Sequence, residues 1–334
     1  MKSNTRKHII NNARRVVVKV GSAVIAKGDF DSIAIKVDAF TRAGKEVVLV
    51  TSGAIAMGME KLGITERPST IPERQALAAI GQTVLMNKYE AAFAKQNQKV
   101  AQVLLTHGDL GSRESFNNAR NTLNRLFELG VVPIINENDT VAVEELKFGD
   151  NDNLSALVVN LIGADLLVIY TDVSGIHDKD PWKNDDANII LEIEDIDSFK
   201  SSFDGCSGAS LHGTGGMSSK VSSAGTAAHF GAATIIANGL GKNAEDAIIS
   251  GGKIAGTFIY PKEDRLTSKK HWIAYSARTS GRIIVDAGAM KAVTEDNKSL
   301  LPSGIVGVEG VFKAGEVVHC HALADDKTNK EFAR

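Results

Sequence analysis

Cysteine is almost missing from this chain: Cys206 and Cys320 are the only two among 334 residues. Two distant cysteines cannot build the disulfide framework of a small secreted domain, and their separation has no zinc-like pattern. Also lacking is any apolar run near the roughly 18 residues that a membrane span needs. Met1–Arg15 is polar and basic, without the apolar stretch of a signal peptide. A soluble cytoplasmic protein is therefore expected. Charge of one sign is not in excess: the net formal charge of −2 provides no global attraction to nucleic acid or anionic membrane. Several motifs are missing as well. No G-x-x-x-x-G-K-[ST] occurs, no G-x-G-x-x-G follows the first predicted strand, and neither H-R-D with D-F-G nor G-x-S-x-G is found. These absences argue against a P-loop enzyme, a dinucleotide-binding dehydrogenase, a protein kinase and an α/β-hydrolase. His107, His177, His212 and His229 show no metal spacing, and no metal held by protein ligands is expected.

What the chain does have is an alternation of short β-branched runs and longer helical stretches. Val16–Val20, Glu46–Val50, Val100–Leu105, Val131–Ile135, Leu166–Tyr170 and Ala233–Ala237 read as buried strands. Asp31–Arg42, Glu73–Gln96, Arg113–Leu129, Asn153–Leu161 and Ser218–His229 read as the helices between them. This order predicts an α/β fold with an open, mostly parallel sheet sandwiched by helices over residues 1–260. Composition changes at Pro261–Lys270, a polar linker. Gly281–Val285, Gly307–Phe312 and Glu316–His319 then predict a small β-rich domain over residues 271–334.

In a doubly wound sheet, ligands bind at the carboxyl ends of strands. Here those ends read Lys19-Val20-Gly21-Ser22, Thr51-Ser52-Gly53-Ala54, Asn136-Glu137-Asn138-Asp139 and Thr171-Asp172. Two further polar loops, Gly149–Asn153 and Gly213–Lys220, lead into helices. Glycine lets a backbone approach a phosphate closely, and a following helix start aims N–H groups at it. Lys19 and Lys220 can neutralise phosphate charge from two sides, which is most of what phosphoryl transfer asks of a protein. Each residue has a plainer reading too. Lys220 can be a helix-surface charge, Asp150 and Asp152 can cap a helix, Asn136 to Asp139 can form an Asx turn, and Thr171-Asp172 can be a simple turn. Trp182 and Met217 lie near these loops and read by default as packing residues, with a place in the lining of an adenine pocket as the alternative.

The segments VVVKVGSAVI, VVLVTSGAIAMG, VVPIINENDTV, FGDNDNLSALVV, LLVIYTDVSGIHDKDP and GTGGMSSKVSSA, in this order, resemble the amino-acid kinase family. The resemblance runs over residues 15 to about 260, and NENDTV with GDNDNLSALV narrows it to the glutamate 5-kinases. SGRIIVDAGA and LLPSGIVGVEGVFKAGE resemble a PUA domain, which ends at Arg334 and so reads as truncated. The resemblance implies ATP-dependent phosphorylation of the γ-carboxylate of L-glutamate, the first step of proline biosynthesis. By the same resemblance Lys19 and Lys220 contact the transferred phosphoryl group and Asp152 holds both ammonium groups. Ser52, Asp139 and Asn151 bind glutamate, with Asn136 and Asp150 shaping that pocket. Gly21 and Gly53 offer N–H groups to phosphate oxygens, Thr171 and Asp172 contact the nucleotide, and a loop of Thr214, Gly215, Gly216, Met217 and Lys220 closes over ATP. Mg²⁺ is expected on phosphates and water. Proline as feedback inhibitor, a homo-oligomer, and glutamate-5-semialdehyde dehydrogenase as partner are implied likewise.

Two other readings compete. Aspartate, N-acetylglutamate, carbamate and uridylate kinases share the phosphate machinery and differ in the acceptor loops. An RNA-binding role for the tail is the second, yet residues 271–334 carry eight Lys and Arg against eight Asp and Glu, a neutral balance that argues against it.

Overall fold

The computed structural model describes residues 2–27, 29–66, 68–142, 151–179, 181, 183–205, 215–241, 244–251, 256–296, 298–323 and 329–333. The strands in chain order are β1 (Arg15–Val20), β2 (Glu46–Val50), β3 (Lys99–Leu105), β4 (Val131–Glu137), β5 (Leu166–Thr171), β6 (Glu192–Ile193), β7 (Ala233–Asn238), β8 (Thr257–Ile259), β9 (Thr279–Val285), β10 (Ile305–Gly310), β11 (Val317–Leu323) and β12 (Asn329–Ala333). The first eight form one sheet in the order β3-β4-β2-β1-β5-β7-β8-β6, and the last four a second sheet, β10-β9-β11-β12. The first sheet is parallel throughout except where β7 meets β8. The expected mostly parallel sheet and β-rich C-terminal unit are thus both present.

Side chains of β1 alternate between two cores, as a pleated strand requires. Val16, Val18 and Val20 enter the core on one face, with Phe40, Leu85, Tyr89 and Phe93. Val17 enters the core on the other, with Leu154, Leu157, Val158 and Val221. Lys19 falls on the Val17 side, which aims it at the helix Asn151–Ile162. The alternation of β4 likewise sends Asn136 to the Ile134 side, toward the helix Ile71–Ala94.

Register brings the strand ends level. Lys19 lies opposite Val50 of β2 and Ile169 of β5, Val50 opposite Ile135 of β4, and Thr171 opposite Asn238 of β7. The loops after β1, β2, β4 and β5 therefore open at one edge, as the sequence predicts.

Several elements are additional to the sequence reading. The helix Lys2–Asn12 precedes β1, and its last carbonyls are capped by the buried Lys45 ammonium, which reaches Ile10 O at 3.0 Å and Ala13 O at 2.7 Å. The short strands β6 and β8 extend the sheet edge. In the C-terminal unit, the helix Ala287–Thr294 and strand β12 accompany the three foreseen strands. The expected linker ends sooner than its composition suggested, because Ser268–Tyr275 is a helix capped by Thr267. That helix packs on the first unit: Trp272 Nε1 donates to Leu110 O at 2.8 Å, and Arg120 donates to Ser268 Oγ at 3.0 Å.

The helices Ala54–Leu62 and Ile71–Ala94 touch backbone to backbone. A Cβ on Gly81 would lie 1.8 Å from Ala54 O, and one on Gly58 would lie 2.1 Å from Leu77 O. Both obstacles are backbone atoms, which cannot swing aside. Gly81→Ala should therefore lower unfolding free energy by about 1–3 kcal/mol, the range for overpacking a tight site, measured by urea unfolding. An unchanged urea midpoint would show that the helices separate at no cost.

Candidate active site

The centre of the site is one carboxylate between two ammonium groups. Asp152 stands in the first turn of the helix Asn151–Ile162 and is 3% exposed; Lys19 and Lys220 are 4% and 8% exposed. Lys19 Nζ pairs with Asp152 Oδ1, while Lys220 Nζ lies 3.1 Å from Oδ2. Ser219 Oγ also donates to Oδ2, at 2.8 Å, and Lys220 donates to Gly216 O at 2.8 Å. Burial alone would raise the Asp152 pKa, but attraction to Lys19 and then Lys220 overcomes it and holds the carboxyl below its ordinary value. Asp152 is therefore ionised throughout the neutral range. Two ammonium groups against one carboxylate leave one surplus positive charge in a dry spot at the strand ends. The helix-capping and helix-surface readings of Asp152 and Lys220 are set aside by these contacts.

A second network lies over β2 and β4. Asn151 Nδ2 reaches Thr51 O at 2.6 Å, Asn136 Oδ1 at 2.8 Å and Ser52 Oγ at 3.2 Å. Asn136 is 1% exposed; its Oδ1 also accepts from the Glu137 backbone N–H at 3.0 Å, and its Nδ2 donates to Gln82 Oε1 at 2.8 Å. Ser52, Asn136 and Asn151 are thus brought together. Asp139 is half-buried in the turn after β4, where Val141 N and Ala142 N both bond to Asn138 O at 3.1 and 3.0 Å. Asn138 Oδ1 accepts from Thr140 Oγ1, a bond between side chains and not the backbone bond of an Asx turn.

Other expected residues are placed differently. Gly21 does not present its own N–H to a ligand, because that group donates to Tyr170 O at 3.0 Å and continues the β1–β5 ladder. Gly21 is instead the N-cap of the helix Ser22–Ala26, and the amides of Ser22 and Ala23 come first in that helix, where N–H groups have no carbonyl one turn back. Gly53 sits at φ +95°, and a Cβ there would meet Ile25 Cγ2 at 2.8 Å, so glycine is required as the N-cap of Ala54–Leu62. The expected loop over ATP is helical from Gly215 onward: Gly216, Met217 and Lys220 lie in the first turns of the helix Gly215–Phe230, and Met217 packs on the core. The Lys220 side chain folds back along that first turn, its Nζ donating to Gly216 O at 2.8 Å. Thr171 is buried at the end of β5 and donates to Asp172 Oδ1 at 3.1 Å, while Asp172 is exposed. Asp150, Thr214, Trp182, Cys206 and His212 lie outside the described residues.

Three residues on the helix Ile71–Ala94 were missed. Gln75 Nε2 reaches Ala142 O at 3.5 Å, Gln82 meets Asn136, and the Tyr89 hydroxyl bonds Thr51 Oγ1 at 2.7 Å. Their spacing of seven puts them on one helix face, a polar stripe on a helix otherwise read as a mere connector. That spacing was the available signal.

With this geometry in view, comparisons decide the family. The amino acid kinase family profile matches residues 14–238, and the PUA domain profile matches 281–333. The chain is 47% identical to a glutamate 5-kinase of Pelobacter propionicus over 336 aligned positions, spanning 98% of this chain and 88% of the relative. It is 46% identical to one from Burkholderia mallei, again over 98% and 88% of the two chains. The chain belongs to the glutamate 5-kinases of the amino acid kinase family. Among solved structures, it is similar to carbamate kinase from Giardia lamblia bound to AMP-PNP, with TM-score 0.54, 18% identity and coverage of 75% of this chain and 100% of that one. It is also similar to N-acetylglutamate synthase from Neisseria gonorrhoeae, with TM-score 0.57, 15% identity and coverage of 78% and 63%. These two likenesses concern the fold.

Asp152 stabilises the folded chain above its unfolded pKa of about 4, and that stability is lost as pH falls through the lower folded value. Asp152→Asn should accordingly cost about 3–5 kcal/mol at pH 7, the range for leaving buried partner charges uncompensated. The gap to the parent should narrow only in strong acid. Denaturant unfolding at pH 7 and pH 3 checks this, and a gap independent of pH would refute the ionised triad.

Proposed function

We propose that this protein transfers the γ-phosphoryl group of ATP to the γ-carboxylate of L-glutamate, giving γ-glutamyl phosphate and ADP, the first step of proline biosynthesis. The observation that carries this reading is the buried Lys19–Asp152–Lys220 triad at the strand ends, beside a pocket of Ser52, Asn136 and Asn151. A γ-carboxylate oxygen attacks the γ-phosphorus, a new O–P bond forms, and the bond to the ADP oxygen breaks with its electrons leaving on ADP. Charge on the transferring group spreads over its peripheral oxygens, where the surplus positive charge of the triad is largest. Asp152 does not exchange a proton; it keeps the two ammonium groups apart and aimed.

The backbone N–H groups of Gly53, Ser22 and Ala23 supply further donors at helix starts. As part of this proposal Asp139 is assigned to glutamate, and Thr171 and Asp172 to the nucleotide. Mg²⁺ is assigned to the phosphates of ATP and to water, which suits an ion that dehydrates reluctantly; bound there it would neutralise phosphate charge.

Proline, the pathway product, is close enough to glutamate in shape to compete for the same pocket, and competitive inhibition is part of this proposal. A homo-oligomer, with glutamate-5-semialdehyde dehydrogenase as the enzyme receiving the labile acyl phosphate, completes it. The neutral charge balance of residues 271–334 supports no strong RNA affinity. No described helix is long and apolar enough to cross a membrane, and a cytoplasmic location is proposed with the pathway. The unit boundaries 1–260, 261–270 and 271–334 are proposed with one adjustment: Ser268–Tyr275 goes with the first unit, on which it packs.

Glutamate with ATP and hydroxylamine should yield a hydroxamate, whereas aspartate, N-acetylglutamate, carbamate or UMP as acceptor should release little ADP. Turnover of another acceptor with none for glutamate would overturn the assignment. Lys220→Ala should lower kcat by roughly 100-fold or more while leaving the glutamate KM within a few-fold, as for a group acting chiefly on the transition state. A large KM rise at unchanged kcat would place Lys220 in ground-state binding instead.

A further inference from the structure

The two helices that carry Asp152 and Lys220 are joined a second time, away from the triad. Asp152 stands in the first turn of the helix Asn151–Ile162, and Asn160 lies eight residues on, about 12 Å along the axis. Lys220 lies near the start of the helix Gly215–Phe230, and Thr226 is six residues on, about 9 Å along. The helix Ser268–Tyr275 bonds both of these positions. Its Ser268 Oγ donates to Asn160 Oδ1 at 2.8 Å, and its His271 Nε2 meets Thr226 O at 2.9 Å. Arg120 reinforces the first bond, donating to Ser268 Oγ at 3.0 Å and to Leu161 O at 2.9 Å.

His271 is wholly buried, between the Phe230 ring at 5.4 Å and the Tyr275 ring at 4.6 Å. A carbonyl can only accept, so Nε2 carries the proton and the neutral ring leaves Nδ1 bare. Nδ1 is screened from solvent and has no hydrogen-bond partner among the described residues. A proton added there would meet no acceptor. On the helix Gly215–Phe230, His229 Nε2 lies 3.1 Å from Asp197 Oδ2, and its Nδ1 lies 2.9 Å from the Tyr275 hydroxyl. Lys262 pairs with the same Asp197 carboxylate, and Arg120 stands at the Ser268 end. The one carboxylate of this group is therefore already held by two other residues. Burial lowers the His271 pKa from its ordinary value by more than the bond to Thr226 raises it, and the neighbouring His229 lowers it further.

We propose that the helix Ser268–Tyr275 is a clasp fixing the angle between the two triad helices, with His271 as its positioning residue, and that a proton taken up by His271 opens the clasp. A helix turns as a rod, so a tilt of about 5° at a clasp about 12 Å away moves Asp152 by about 1 Å, enough to spoil a transfer geometry. The proton binds the open state, in which the ring reaches water and Nδ1 finds a partner. A base whose pKa is lower in the closed state favours closure fully above the open-state value of about 6.5, and that preference is lost as pH falls below it. Asp152 stays ionised over the same range, so its carboxylate is not the group that responds. The kinetic half of this proposal rests on the phosphoryl-transfer reading above; the opening of the clasp does not.

Hydrogen exchange of the amides in 266–277, corrected for the intrinsic effect of pH, should quicken about 10-fold in the parent between pH 7.5 and pH 5.5, a factor of ten for the one unit below about 6.5. His271→Gln keeps an amide donor for Thr226 O but takes up no proton, and should show no such quickening. His271→Ala removes the donor and should exchange fast at both pH values. Its kcat at pH 7.5 should fall about 10-fold with the glutamate KM within a few-fold, and H271Q should recover most of that loss. If H271A does not fold, Ser268→Ala, which severs the bond to Asn160, is read by the same split. Exchange in the parent that ignores pH, or that quickens equally in H271Q, would overturn opening by His271. Parent-like kcat in a variant whose clasp helix exchanges fast would overturn the positioning role. Absence of glutamate-dependent ADP release by the parent would overturn the functional reading alone, because the exchange result does not depend on it.

Discussion

A single carboxylate held between two buried ammonium groups is the constraint to which the rest of this structure answers. Each of the three charges is costly to remove from water, and the attraction of Asp152 for Lys19 and Lys220 offsets that cost only while the geometry is kept. The lysines come from a strand and from a helix start 201 positions later in the chain, and Asp152 comes from a third element. The sheet must therefore bring β1 beside β5 and lay both helices on the same face. Once it does, two ammonium groups share one carboxylate and one positive charge is left in surplus at the strand ends.

The acceptor side answers to a different constraint, close backbone contact. Gly58 and Gly81 let two helices approach until main-chain atoms touch, and Gly53 takes a left-handed conformation against Ile25. With the helix Ile71–Ala94 held so closely, its polar stripe bonds the loops after β2 and β4. Tyr89 secures the loop after β2, Gln82 secures β4, and Gln75 reaches the turn beyond.

The C-terminal unit is joined through the helix Ser268–Tyr275, which belongs to the helical layer of the first unit. Trp272 bonds Leu110 O, and Arg278 lies where a Cβ on Gly108 or Gly111 would collide with it. The short helix His107–Gly111 therefore touches the C-terminal unit on one side. On the other, His107 lies 3.9 Å from the buried Glu137 at the end of β4 and 3.0 Å from Asn153.

Much of this was legible without coordinates. Continuous β-branched runs separated by helical stretches determined the parallel sheet, because strands buried on both faces need apolar residues at every position. Polar loops at successive strand ends marked the edge at which Lys19, Asp152 and Lys220 meet. The resemblance of NENDTV and GDNDN to known glutamate 5-kinases carried the acceptor, and it named Lys19, Asp152 and Lys220 correctly as partners. Less was legible where pairing spans distance or where two residue types serve either of two roles. Glycine before a helix signals an N–H donor, but only the register of β1 on β5 shows that the Gly21 amide is already taken by Tyr170. A helix that looks like a connector bonds Asn136 and Thr51 only once Gly81 is pressed on Ala54. The charge triad itself required tertiary structure: sequence supplies three ionisable residues, but their shared burial and mutual attraction exist only after the chain has folded them together.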